Sequence, residues 1–277
     1  MPYVSNQGVR IYYEIEGSGP PIVLAHGISG SLEDWREVGW VESLRDRYRL
    51  ILVDARGHGR SDKPHDPGAY RQIHQATDHL AVLDAIGVAK AHFLGFSMGG
   101  IVALGVGVHA PERCLSLMMG GTQPYARDER PEGTGLPKPT PMGGMPEGDN
   151  PIDYLLAQGG EAWVAFYEAN IEVSAAMKAR LMQNDFEAVR ARFAGLHERR
   201  SSAHYLDPVQ MPCLIFVGEE ESAYGGAKQL ADRLPDARFI AFPGLNHFFM
   251  LTAVDVILPE VLHFLSNVED ERRIPSN

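Results

Sequence analysis

Short apolar runs, each closed by glycine or by a cluster of polar turn residues, alternate along this chain with longer segments in which apolar residues recur every third or fourth position. Residues 9–15 (VRIYYEI), between Gly8 and Gly17, are rich in β-branched and aromatic side chains and predict an early strand. Residues 20–27 (PPIVLAHG) are apolar throughout and end on glycine, the pattern of a strand buried on both faces of a parallel sheet. Trp35, Val38, Val41 and Leu44 stand at helical spacing within 33–47, and residues 48–62 (YRLILVDARGHGRSD) form a second buried strand running into a turn-rich loop. An amphipathic helix is predicted over 73–86. The strand 91–97 (AHFLGFS) leads straight into a helix over 98–109, and another strand follows over 114–121. Far downstream come strand 213–218, helix 227–234, strand 237–242 and helix 256–265, with a polar tail, 267–277, expected to fray.

Apolar strands that alternate with helices indicate an α/β fold, with a mostly parallel sheet covered by helices on both faces. The alternation breaks between 124 and 208. Residues 124–151 hold seven Pro and five Gly, which remove hydrogen-bond donors and raise the entropic cost of order, so no regular element is expected there. Residues 152–196 are helical in pattern and carry Trp163, Phe166, Tyr167, Met177, Met182, Phe186 and Phe193. They read as a helical cap inserted after the sixth strand. The expected division is a core of residues 1–123 and 209–277 with a cap over 124–208, the Pro/Gly stretch acting as a gate to whatever lies beneath. The chain shows no internal repeats.

Charge narrows the function. The 36 acidic and 25 basic residues leave a formal charge of −11, which argues against nucleic acid and against an anionic membrane surface as partners. Cys114 and Cys213 sit in apolar strand-like runs and lack metal-binding spacing, so they read as buried thiols, with no metal expected. The N-terminus has no apolar stretch of the secretory type, and the longest apolar run, 98–108, is far short of the ~20 residues of a membrane span. The expectation is a soluble, cytoplasmic protein.

The strongest chemical signal is GFSMGG, residues 95–100, which contains G-x-S-x-G at Gly95, Ser97 and Gly99. It stands between a buried strand and an apolar helix, the setting of a nucleophile elbow. Ser97 there would project above the sheet at a helix N-terminus, where backbone N–H groups favour developing negative charge. Gly95 and Gly99 would be needed because a Cβ would collide with the crossing strand and helix.

Together with AHGISGSLEDW (25–35), DARGHGRSD (54–62), GEEES (218–222) and GLNHF (244–248), this motif makes the chain resemble the α/β-hydrolase superfamily over about residues 8–265, in its cap-bearing branch of esterases, lactonases, carbon–carbon bond hydrolases and cofactor-free haloperoxidase-like enzymes. The resemblance implies an eight-stranded sheet and a Ser-acid-His order. Ser97 corresponds to the nucleophile. His247, in the loop after the last strand, corresponds to the base. The family usually places Asp at the third position after the glycine ending the seventh strand; this chain has Glu221 there, with Glu219 and Glu220 as alternatives. The position after strand six, used by some relatives, reads GGTQ and offers no carboxylate. The backbone N–H groups of Ile28 and Met98 correspond to the oxyanion hole, with His26 and Gly27 as structural parts of its loop. Arg56, Arg60 and Asp62 are expected to stiffen the sheet edge, since the loop lacks the end of a phosphate-binding P-loop.

The resemblance therefore implies a serine hydrolase for carboxylic esters of small-to-medium apolar substrates, working as a monomer or homodimer and without cofactor. A lactonase or carbon–carbon bond hydrolase would use the same three residues. A ligand sensor on the same fold would keep the pocket with negligible turnover. Haloalkane dehalogenases and epoxide hydrolases of this fold carry Asp where this chain carries Ser97.

Overall fold

The computed structural model describes residues 2–124, 151–197, 202–248 and 252–273. Its strands are β1 (Tyr3–Asn6), β2 (Val9–Glu16), β3 (Pro21–Ala25), β4 (Arg49–Val53), β5 (Ala91–Phe96), β6 (Cys114–Gly120), β7 (Cys213–Gly218) and β8 (Ala237–Phe242). They form one eight-stranded sheet in the order β1-β2-β4-β3-β5-β6-β7-β8. The pairs β1–β2 and β2–β4 are antiparallel, and every other pair is parallel.

The apolar strands are apolar because both faces of the sheet are covered. In β3, Val23 joins the core on one face while Ile22 and Leu24 join that on the other; in β7, Ile215 and Leu214 divide the same way. Helices α3 (Gln72–Ala85), α4 (Met98–His109) and α9 (Tyr224–Arg233) contribute to the first core. Helices α1 (Leu32–Glu37), α2 (Trp40–Leu44) and α10 (Val254–Arg273) contribute to the second. Cys114 and Cys213 are buried free thiols, and burial pushes the Cys114 pKa up to about 12.

One strand was not expected and two local expectations change. β1 has no apolar signature, because it is an edge strand held by backbone pairing with β2. The single helix expected over 33–47 is broken into α1 and α2 at Gly39, whose φ of 91° lies in the left-handed region. The tail expected to fray from 267 is helical to Arg273. Val268 is buried against the second core, and the Arg272 guanidinium donates to the Leu115 carbonyl at 3.0 Å.

After β6 the chain builds α5 (Pro151–Gln158), α6 (Gly160–Glu168), α7 (Ala175–Met182) and α8 (Phe186–His197). Leu155, Leu156, Trp163, Val164, Leu181 and Val189 form their common core, against which Ile28 of the body also packs. This is the helical cap after strand six. Most of the Pro/Gly stretch and its expected gating role, 125–150, lie outside the described residues; Pro151 opens α5, a position where its missing N–H costs nothing. Polar contacts tie the cap to the body on two sides. Arg180 pairs with Asp34 at 3.0 Å and with Glu37, and His65 pairs with Asp185 at 3.0 Å.

Candidate active site

The order of strands reverses at β3: β4 lies on one side of it and β5 on the other. In open α/β sheets such a switch point leaves a crevice beyond the carboxyl ends of the strands. The loop after β3 and the turn after β5 both open there, at Ala25 and Gly95, which are directly paired.

Ser97 sits on that turn with φ 55° and ψ −113°, a left-handed conformation for a residue with a side chain. Close packing leaves no alternative path. A Cβ at Gly95 would fall on the Gly99 carbonyl, and one at Gly99 on the Ala25 carbonyl. The Ser97 N–H donates to the Gly120 carbonyl at 2.8 Å, which pins the turn to β6. The hydroxyl is left at the first turn of α4.

The loops after β7 and β8 are bonded to one another, Glu219 N–H to Phe242 O at 3.0 Å and Glu220 N–H to Leu245 O at 3.1 Å. That places Glu221 beside His247. Nε2 of His247 lies 3.0 Å from Ser97 Oγ, and Nδ1 lies 2.5 Å from Glu221 Oε1. The Glu221 side chain is 0% exposed and that of His247 36%. Glu219 and Glu220 point outward and are exposed. Desolvation pulls the His247 pKa down, but the charge of Glu221 and its hydrogen bond outweigh it, so the pKa is raised above the ordinary imidazole value. An imidazole so placed can take a proton from the serine hydroxyl and be stabilised once charged.

His26 holds the loop after β3. Its Nε2 accepts from Ala55 N–H at 3.1 Å, so Nδ1 carries the proton and donates to the Gly27 carbonyl at 2.7 Å. That carbonyl shares a peptide with the Ile28 N–H. Among the described residues neither the Ile28 nor the Met98 N–H has a hydrogen-bond acceptor. His58 is buried, bonded through Nδ1 to Arg56 O at 3.1 Å, and pushed down to about 3 by burial and then by His26, so it is a neutral packing group. His204 is exposed.

Arg56 and Asp78 form a buried pair at 2.6 Å beneath this edge, Arg60 pairs with Glu14 at 2.7 Å and Asp62 with Arg10 at 2.9 Å. On α8 of the cap, Arg192 is buried and Arg190 is exposed. Among the described residues no group of three or more His, Cys, Asp or Glu side chains could hold a metal ion, and no helix is long and apolar enough to cross a membrane.

Two aromatic neighbours of the site went unread in the sequence. Phe96 stacks on the His247 ring, centroids 5.2 Å apart and planes 28° from parallel. Phe248 meets Phe166 and Tyr167 of the cap edge-on at 5.4 and 5.5 Å. Their position in the chain, each adjacent to Ser97 or His247, was the available signal.

A family model described as alpha/beta hydrolase fold matches residues 20–165. A putative carbamate hydrolase of Azorhizobium caulinodans is 40% identical over 117 residues, an alignment that spans 42% of this chain and 43% of that protein. A non-heme haloperoxidase of Rhodococcus erythropolis is 26% identical over 96% of this chain and 100% of its own length. Among solved structures, Est816, an N-acyl homoserine lactone degrading enzyme, superposes with a TM-score of 0.72 at 26% identity, covering 95% of this chain and 99% of that one.

Proposed function

This chain belongs to the α/β-hydrolase fold family, and on that footing we propose that it is a serine hydrolase acting on carboxylic esters of small-to-medium apolar substrates. The observation that carries this reading is one arrangement: a serine on the β5–α4 turn, 3.0 Å from an imidazole whose other nitrogen is 2.5 Å from a buried carboxylate. In this reading residues 124–208 act as the cap, and 1–123 with 209–277 as the core that bears the site.

Ser97 Oγ attacks the ester carbonyl as its proton passes to His247 Nε2, and Glu221 steadies the resulting imidazolium. The carbonyl oxygen becomes an oxyanion held by the N–H groups of Ile28 and Met98. His247 then gives its proton to the leaving alcohol, which departs as the C–O bond breaks and leaves an acyl group on Ser97. Water attacks that acyl-enzyme, His247 again taking the proton, and the acid is released. The aromatic edge formed by Phe166, Tyr167 and Phe248 supports an apolar substrate.

The full-length likeness to a lactone-degrading enzyme favours lactones as a second reading, since a lactone is a cyclic ester opened by the same steps. Labelling with a fluorophosphonate, followed by rates on 4-nitrophenyl esters and on N-acyl homoserine lactones, tests both. Labelling is expected in wild type and lost in Ser97→Ala. A folded wild-type protein that takes no label would overturn the reading, and faster opening of lactones than of open-chain esters would assign it to the lactone class.

A further inference from the structure

Three consecutive carbonyls of the loop after β3 are held from different sides. The Gly27 carbonyl accepts from His26 Nδ1 at 2.7 Å and from the Gly30 N–H at 3.3 Å, both within the body. The next two are held by the cap. The Tyr167 hydroxyl, on α6, donates to the Ile28 carbonyl at 3.3 Å, across 139 residues of sequence. Asn184, just beyond α7, donates through Nδ2 to the Ser29 carbonyl at 3.0 Å, across 155 residues.

Both donors are well defined. Burial first, and then the charge of Asp34, push the Tyr167 phenol pKa up, so it keeps its proton. Asn184 Nδ2 also faces the Leu181 carbonyl at 3.1 Å and the Arg180 carbonyl at 3.4 Å, so only the NH2 side of the amide fits there. The Ile28 side chain is packed into the cap's own core. The loop needs such support, since Ser29 sits at φ 59°, in the left-handed region that a residue with a side chain rarely adopts.

We propose that Tyr167 and Asn184 are positioning residues that orient the Ile28 N–H toward the oxyanion, so that seating of the cap governs transition-state stabilisation as well as pocket shape. The proposal rests on the reading of Ile28 as an oxyanion donor. Oxyanion donors act because they are already aimed before charge develops. The Ile28 N–H shares its plane with the Gly27 carbonyl, which the body holds, and fixing the Ile28 and Ser29 carbonyls pins the planes that follow, so that the loop as a whole cannot turn the N–H away.

The test compares wild type with Tyr167→Phe, Asn184→Ala and Ser97→Ala, using hydrolysis of 4-nitrophenyl butyrate and binding of phenylboronic acid. The boronic acid adds the Ser97 oxygen to boron, its proton passing to His247, and so builds a tetrahedral anion without turnover. Each cap variant is expected to lose about tenfold in kcat with KM within about twofold of wild type, a part of the roughly 10²–10³-fold that a missing oxyanion donor costs. Boronate affinity should fall by the same factor, and the midpoint of the pH–rate profile should not move. Unchanged kcat and boronate affinity in both cap variants, with Ser97→Ala inactive, would overturn the positioning role and leave the hydrolase reading standing. A raised KM with kcat and boronate affinity unchanged would also overturn it, confining these residues to pocket shape. Full activity and boronate binding in Ser97→Ala would instead remove the hydrolase reading. Tyr167→Phe keeps its ring in place, so it carries the test alone if Asn184→Ala fails to fold.

Discussion

Glu221 Oε1 lies 2.5 Å from Nδ1 of His247, the carboxylate fully buried and the imidazole partly open to solvent. The other carboxylate oxygen, Oε2, is buried without a hydrogen-bond partner among the described residues. Glu221→Gln should therefore lower kcat by about 10²–10⁴-fold, because the imidazolium loses its counter-charge and the amide can present the wrong group to Nδ1. Glu219→Gln and Glu220→Gln, on exposed side chains, should stay near wild type. Steady-state kinetics of the three variants on one ester checks this; equal losses in all three would argue against a single acid.

The same contact sets a pH dependence. In the proposed mechanism the working form of His247 is neutral, and Glu221 holds its pKa above the ordinary value. The acid limb of kcat/KM should rise through a midpoint above the ~6.5 of an unperturbed imidazole. In Glu221→Gln the raising influence is gone while desolvation remains, so the midpoint should move to lower pH even as the rate falls. Rate profiles from pH 5 to 9 in both proteins, fitted with the same single-ionisation model, read the shift.

Gly99 packs so closely on β3 that any Cβ would meet the Ala25 carbonyl, which is backbone and cannot swing aside. Gly99→Ala is expected to destabilise the fold by about 1–3 kcal/mol or more, and to lower activity through movement of the Ser97 turn and the β3 loop together. Urea denaturation and residual esterase rate on the folded fraction measure the two effects separately.

Arg56 and Asp78 are almost fully buried, with Nε and Nη2 of the guanidinium bonded to the two carboxylate oxygens at 2.6 and 2.7 Å. Nη1 also donates to the Ala69 carbonyl at 2.6 Å. Arg56→Met would leave Asp78, among the described residues, with only the Asn6 amide, 2.8 Å from its Oδ1, and a buried uncompensated charge. The expected cost is about 3–5 kcal/mol of stability, with kcat of the surviving folded protein close to wild type. The double variant Arg56→Met/Asp78→Leu should recover much of the loss, as a denaturation series would register.

Much of the fold was legible in the sequence, because burial on both faces of a parallel sheet demands uninterrupted apolar runs such as 20–27 and 213–218. The turn at Ser97 was legible too, since only glycine tolerates the approach of backbone at positions 95 and 99. β1 was silent because an edge strand is stabilised by backbone hydrogen bonds, which every residue can make. The break at Gly39 was missed because the apolar spacing of 33–47 continues across it; only the positive φ ends the helix.

The motifs of the chain and the family they resemble pointed to Ser97, His247 and Glu221, with Glu219 and Glu220 as alternatives to the last. Which carboxylate lies beside His247 was decided by the tertiary structure, through the bonds that join the loops after β7 and β8 and turn Glu221 inward while Glu219 and Glu220 face solvent. The grip of Tyr167 and Asn184 on the β3 loop was likewise invisible in the chain, for a hydrogen bond across 139 or 155 residues leaves no periodicity in the sequence that makes it. Local pattern determines elements because it reflects solvent contact and short-range sterics. The partners of polar side chains are decided only when the cap and the sheet edge meet in space.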